Sequence, residues 1–201
     1  MKVRILFLIC FLSITCLLNA ADKPVIQIHT DNSSLIFRVA DNGRLYQSYL
    51  GKKLNHEADI SHLPQGTEAY ITHGMEDYFE PAIHILHNDG NPSLLLKYVS
   101  HETKAVSQGV NETIITLGDD KYPVTVKLHY VTYPAEDIIK TYTEISHKEK
   151  KPVVLHQYAS SMLHLNRAKY YLTEFSGDWA HEANISDQPL EFGKKVLDTK
   201  L

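Results

Sequence analysis

Leu35-Ile36-Phe37-Arg38-Val39, then Asp41-Asn42-Gly43, then the returning run Arg44-Leu45-Tyr46-Gln47-Ser48-Tyr49-Leu50, is the stretch that decides the fold. Side chains alternate across a strand with a period of two, so Leu35, Phe37 and Val39 share one face. Asp41-Asn42-Gly43 supplies the residues that accept positive φ in a tight hairpin turn, and the run that follows is again strand-like. Two antiparallel strands joined by a short turn are predicted here.

Outward from this hairpin the same grammar recurs. Strands are predicted at Ile83–Leu86, Leu94–Val99, Thr113–Leu117, Val124–Thr132, Ile138–Ser146, Val153–Ser160 and Tyr170–Phe175. Lys127–Val131 and Thr141–Ile145 partly alternate polar and apolar residues, as strands with one wet face do. Gly118-Asp119-Asp120-Lys121 and His147-Lys148-Glu149-Lys150-Lys151 read as polar connections. Pro123 and Pro152 follow them and belong at a strand start or edge, because proline cannot donate to a ladder. Helix-length periodicity is hard to find, and no internal repeat or Pro/Ser-rich linker divides the chain. The expected fold is one all-β domain, an antiparallel β-sandwich from Pro24 to about Phe175.

The first residues read differently. Met1-Lys2-Val3-Arg4, an apolar run from Ile5 to Leu18, and Asn19-Ala20-Ala21 have the basic, apolar, small-residue order of an export signal cleaved near Ala20 or Ala21. The run is shorter than the roughly 18 to 20 apolar residues that span a membrane, and it contains Ser13 and Thr15. Cys16 lacks the small neighbours of a lipidation signal. Residues 1–21 are thus expected to be a signal peptide and residues 22–201 a secreted or periplasmic domain. Cleavage would remove both cysteines, Cys10 and Cys16, so disulfides would play no part in stability. It would also remove Lys2 and Arg4 and no acidic residue, leaving 18 basic against 24 acidic residues and moving the formal charge from −4 to −6. That balance argues against nucleic acid or an anionic membrane as partner, since both call for clustered Lys and Arg.

The chain has 12 histidines, but they are spread along it with no His-x-x-x-His or His-Glu-x-x-His spacing. His84 and His87, three apart in or just after a strand, point to opposite faces. No metal or other cofactor is expected. The nucleophile elbow Gly-x-Ser-x-Gly of serine hydrolases does not occur. Asn32, Asn111 and Asn184 head Asn-x-Ser/Thr triplets, which act as glycan acceptors only in a eukaryotic secretory pathway.

Two segments are less ordinary. Gly74-Met75-Glu76-Asp77-Tyr78-Phe79-Glu80-Pro81-Ala82 interleaves acidic and aromatic residues ahead of a strand. Aromatic faces stack on the apolar side of a sugar ring while carboxylates accept its hydroxyl hydrogen bonds, so this composition suits a carbohydrate. A loop whose aromatics pack onto the sandwich reads the same way. Phe175-Ser176-Gly177-Asp178-Trp179-Ala180-His181-Glu182 holds the single tryptophan, for which a place in the core or an interface is the alternative to a ligand role.

Together these segments resemble the N-terminal β-sandwich domain, or supersandwich, of the family 36 α-galactosidases. The family's Asp-Phe-Arg-x-Pro-Ala motif is met by Asp77-Tyr78-Phe79-Glu80-Pro81-Ala82, and its Gly-x-Trp-x-Arg-Glu motif by Gly177-Asp178-Trp179-Ala180-His181-Glu182. Leu45-Tyr46-Gln47-Ser48-Tyr49-Leu50-Gly51-Lys52 is similar to the family's early strand, and the likeness runs from about Val25 to Leu201. Both family arginines are replaced, by Phe79 and His181, so their roles do not carry over. The resemblance implies a parent enzyme whose (β/α) barrel supplies the two catalytic aspartates of a retaining mechanism and needs roughly 200 further residues. The chain is therefore expected to be a fragment or truncated product with no catalytic residue of its own. The implied roles are packing against the barrel, homo-oligomerisation and a place at the active-site rim. The residues implied to face an α-galactoside oligosaccharide are Asp77, Tyr78 and Trp179, with Glu182 beside them. A free-standing carbohydrate-binding or structural sandwich is the alternative.

Overall fold

The computed structural model describes residues 23–74, 80–165, 169–191 and 193–198. The deciding hairpin is present as β2 (Ser33–Val39) and β3 (Leu45–Lys52), paired antiparallel and preceded by β1 (Val25–His29), which pairs with β2. The turn lies at Asp41-Asn42-Gly43, as expected. Only Gly43 takes a positive φ, of 78°. The Gly43 N–H donates to Ala40 O at 3.0 Å and the Ala40 N–H donates to Arg44 O at 3.0 Å. This is a type I turn closed by a left-handed glycine, a three-residue loop in which Asn42 is spared positive φ. Asn42 Oδ1 instead accepts the Arg44 N–H at 2.9 Å.

A short strand, β4 (Thr67–Glu68), completes a sheet of order β1-β2-β3-β4. A second four-stranded sheet is a meander of β6 (Leu96–Ser107), β7 (Val110–Asp119), β8 (Val124–Tyr133) and β9 (Ile138–His147), each antiparallel to the next. The two sheets share one core. Ile26, Ile28, Leu35, Phe37 and Leu45 from the first meet Ile115, Leu117, Val126, Leu128 and Tyr130 from the second, all buried. Val39 packs at the margin of this cluster, so the face shared by Leu35, Phe37 and Val39 is the core face. Burying each such side chain contributes roughly 1.5–3 kcal/mol, which makes this alternation the main reason the register holds.

The outer face of the first sheet is also covered. Ser34 Oγ accepts the Leu54 N–H at 2.9 Å, and Arg38 donates to Ile60 O. Ser34, Ile36 and Arg38 alternate with the core positions, so the segment with the one-turn helix α1 (Glu57–Ser61) lies across that face. Gly66 then enters β4 with φ 83°, so close to β3 that a Cβ would fall 1.9 Å from Gln47 O. Gln47 itself is fully buried. Its side-chain amide pairs with the main chain of His164, donating to the carbonyl at 2.7 Å and accepting the N–H at 3.1 Å.

Two smaller ribbons remain: β5 (Ile83–Leu86) with β10 (Val154–Tyr158), and β11 (Tyr171–Asp178) with β12 (His181–Pro189). Pro123 and Pro152 lie just ahead of β8 and β10, outside the ladders. Departures from expectation have local causes. Strand β6 runs on to Ser107, where the expected strand stopped at Val99, because residues 100–107 are exposed and show no burial alternation; main-chain pairing to β7 holds them. The expected polar connection 147–151 joins β9 to β10, and within it Glu149 Oε1 pairs with the buried His87 Nδ1 at 2.7 Å, beside a Tyr122 ring stacked on His87 with centroids 3.6 Å apart.

Candidate functional site

The second quoted segment forms the end of a ribbon. Tyr171 through Ser176 pair with Pro189 through Asn184, and Asp178 faces His181 across a two-residue turn of Trp179 and Ala180. Ala180 and, after a bulge, Ala183 hold positive φ of 66° and 56°. Trp179 therefore stands at the tip, 92% exposed, with Glu182 exposed on the return strand. This overturns the alternative of a core tryptophan. Asp77 and Tyr78 lie outside the described residues.

Behind the tip, alternation along β11 turns Tyr171, Thr173 and Phe175 to one side, with Ile185 opposite Phe175. Tyr171, Phe175 and Ile185 are each more than two-thirds exposed. An open cavity of about 740 Å³ is lined by residues 173–177 of β11, Phe175 among them, and by residues 195–198. Its polar groups are linked: Gln188 Nε2 donates to Glu174 Oε1 at 3.1 Å, and Lys195 Nζ donates to Gln188 Oε1 at 3.1 Å and lies 3.7 Å from Glu174 Oε1. By the same alternation Glu174 and Gln188 lie on the face of the ribbon opposite Phe175 and Ile185, so one face offers aromatic stacking surface and the other linked amide, carboxylate and ammonium groups that can hydrogen-bond a polyhydroxylated ligand. Glu174, Phe175 and Lys195 were not among the expected site residues. For Phe175 the available signal was a period-two pattern that resumes at Ile185 beyond the Trp179 turn; Glu174 and Lys195 carried none.

The end of the first segment is tied to the chain beyond this ribbon. Glu80 Oε1 accepts from Lys194 Nζ at 2.7 Å and from Gln157 Nε2 at 3.2 Å, and Gln157 Nε2 also donates to Pro81 O at 2.8 Å. The Lys194 and Gln157 hydrogen bonds hold the Glu80 carboxyl below its ordinary range. Among the described residues no three His, Cys, Asp or Glu side chains gather as a metal-binding set.

Residues 42–201 match the glycosyl hydrolase family 36 N-terminal domain. The chain belongs to this family. It is 25% identical over 133 residues to a probable α-galactosidase G of Aspergillus terreus, covering 60% of this chain and 18% of that protein. An α-galactosidase of Lactobacillus brevis superposes with a TM-score of 0.72 at 21% identity, over 84% of this chain and 28% of that one. A family 36 α-galactosidase variant of Geobacillus stearothermophilus, solved with raffinose, superposes with a TM-score of 0.75 at 18% identity, over 85% of this chain and 28% of its own. The family 36 N-terminal domain described here thus spans less than a third of the length of each of these relatives.

Proposed function

We propose that this domain is the non-catalytic N-terminal part of an exported α-galactosidase acting on terminal α-linked galactose in oligosaccharides of the raffinose kind. In that reading it packs on the catalytic barrel, supports homo-oligomerisation and contributes Asp77, Tyr78, Trp179 and Glu182 to the rim of the sugar site. Export rests on the order of residues 1–21. The observation that carries the rim is the tryptophan of a family motif held almost fully exposed on a hairpin tip, where burial gives it no structural reason to be. Purified residues 22–201 should release no galactose from a chromogenic α-galactoside. In the parent enzyme, Trp179→Ala should raise KM for raffinose by roughly two- to tenfold, the worth of one aromatic contact, with kcat changed less. Turnover by the isolated domain, or an unchanged KM in the variant, overturns the respective part.

A further inference from the structure

Three histidines from three separate stretches of chain form one column. The rings of His73 and His84 stack with centroids 3.7 Å apart and planes 23° from parallel, and His156 adds a third ring 4.8 Å from His84. The column stands on a narrow stem. Thr72 bridges Ile83 in parallel register, the His73 N–H donates to Ile83 O at 3.0 Å, and the Ala82 N–H donates to Ile71 O at 2.7 Å. Residues 71–74 and 80–84 are thereby joined at the two ends of the first family motif's segment.

We propose that this column is an acid-sensitive clasp, neutral and stacked when closed, which parts and loosens the 71–73 to 82–83 bridge once more than one ring is protonated. Imidazole is the side chain whose ordinary titration falls in the mildly acidic range, and like charges at stacking distance repel. Among the described residues no ion pair joins a carboxylate to any of the three rings. Residues 69–74 bring Tyr70 and His73, residues 80–86 bring Glu80 and His84, and β10 brings His156 and Tyr158. Glu80 is engaged by Lys194 and Gln157, and the Tyr70 hydroxyl donates to Ala159 O at 2.8 Å. His84 is held below the ordinary 6.5 first by burial and then by repulsion from His73 and His156. A histidine with a lowered folded value contributes stability above 6.5 that is lost as the pH falls from there through the folded value.

The test is an NMR titration of the three imidazoles in the full chain from pH 8 to 5, with exchange protection of the Ala82 and His73 amides measured alongside. The expected result is a His84 midpoint below the ordinary imidazole value, with protection of the two amides falling about tenfold for each pH unit of that lowering as the pH drops through it. His84→Phe, which keeps a stacked ring without a proton, should flatten that loss. His156→Gln, at an exposed position, should raise the His84 midpoint by removing one repelling charge. An ordinary midpoint for His84, or a His84 midpoint indifferent to His156→Gln, overturns the clasp. No galactoside enters these measurements, so their failure leaves the sugar-site reading untouched.

Discussion

Phe37 of β2 and Tyr130 of β8 meet across the sandwich with ring centroids 5.1 Å apart and planes inclined by 46°. Tilted aromatic pairs at this spacing gain about 0.5–1.5 kcal/mol beyond their buried area. Phe37 is fully buried, so Phe37→Ala should cost about 3–5 kcal/mol through lost transfer energy and the cavity left behind. Phe37→Leu, which refills part of the space, should cost less. Urea unfolding of both variants checks this, and a wild-type midpoint for Phe37→Ala would mean that the sheets do not pack here.

A second prediction concerns acid. On the outer face of the meander, Glu112 Oε1 accepts the Tyr142 hydroxyl at 2.6 Å and faces His129 Nδ1 at 2.9 Å, while Oε2 lies 3.0 Å from Lys104 Nζ. The hydrogen bonds from Tyr142 and His129 lead in lowering the carboxyl from 4.5 to about 2. The folded value lies below the unfolded one, so this stability is present above 4.5 and lost as the pH falls from there through about 2. Glu112→Gln should flatten that limb of the stability curve between pH 5 and 2, read as urea midpoints, and an unchanged acid limb would count against it.

Two glycines with similar backbone conformations should respond to alanine by very different amounts. Gly66 and Gly90 have φ of 83° and 84°, but a Cβ at Gly66 would collide with Gln47 O, whereas at Gly90 it would meet nothing within 4 Å. Gly90→Ala should cost about 1–2 kcal/mol, the penalty of the left-handed region alone. Gly66→Ala adds a backbone clash and should cost on the order of 3 kcal/mol or more. Equal thermal midpoints for the two variants would refute the close approach of residue 66 to β3.

Trp179 supplies the fourth test. At 92% exposure, its replacement by alanine should change stability by no more than about 0.5 kcal/mol, against about 3–5 kcal/mol for a core tryptophan. A melting temperature lowered by many degrees would return the residue to a structural role.

The sandwich was legible because its core strands obey a two-residue alternation that burial enforces, as in Leu35, Phe37 and Val39. Where main-chain pairing alone holds a strand, as in residues 100–107, the side chains carry no pattern and the boundary was missed. The hairpin turn was legible in place but not in type, since Asn-Gly is compatible with more than one loop and only the Ala40 and Arg44 pairing selects among them. The exposure of Trp179 could not be read from composition, because the same residues serve a core or a tip. Glu149 was hidden for the opposite reason. A carboxylate among lysines looks solvated until a partner 62 residues earlier, His87, is seen to reach it.

The pairing of β5 with β10 has a consequence for how the chain assembles. Every strand of the β6–β9 meander lies in sequence between these two partners, and each meander strand joins its neighbour through a short turn. Closing short loops costs less entropy than closing long ones, so the meander can form by successive local steps while Ile83–Leu86 waits for Val154–Tyr158. The last-formed ladder then seals the domain after its largest sheet exists. Pulse-labelled exchange during refolding should accordingly protect the amides of β7 and β8 before those of β10, and the reverse order would place the nucleus elsewhere.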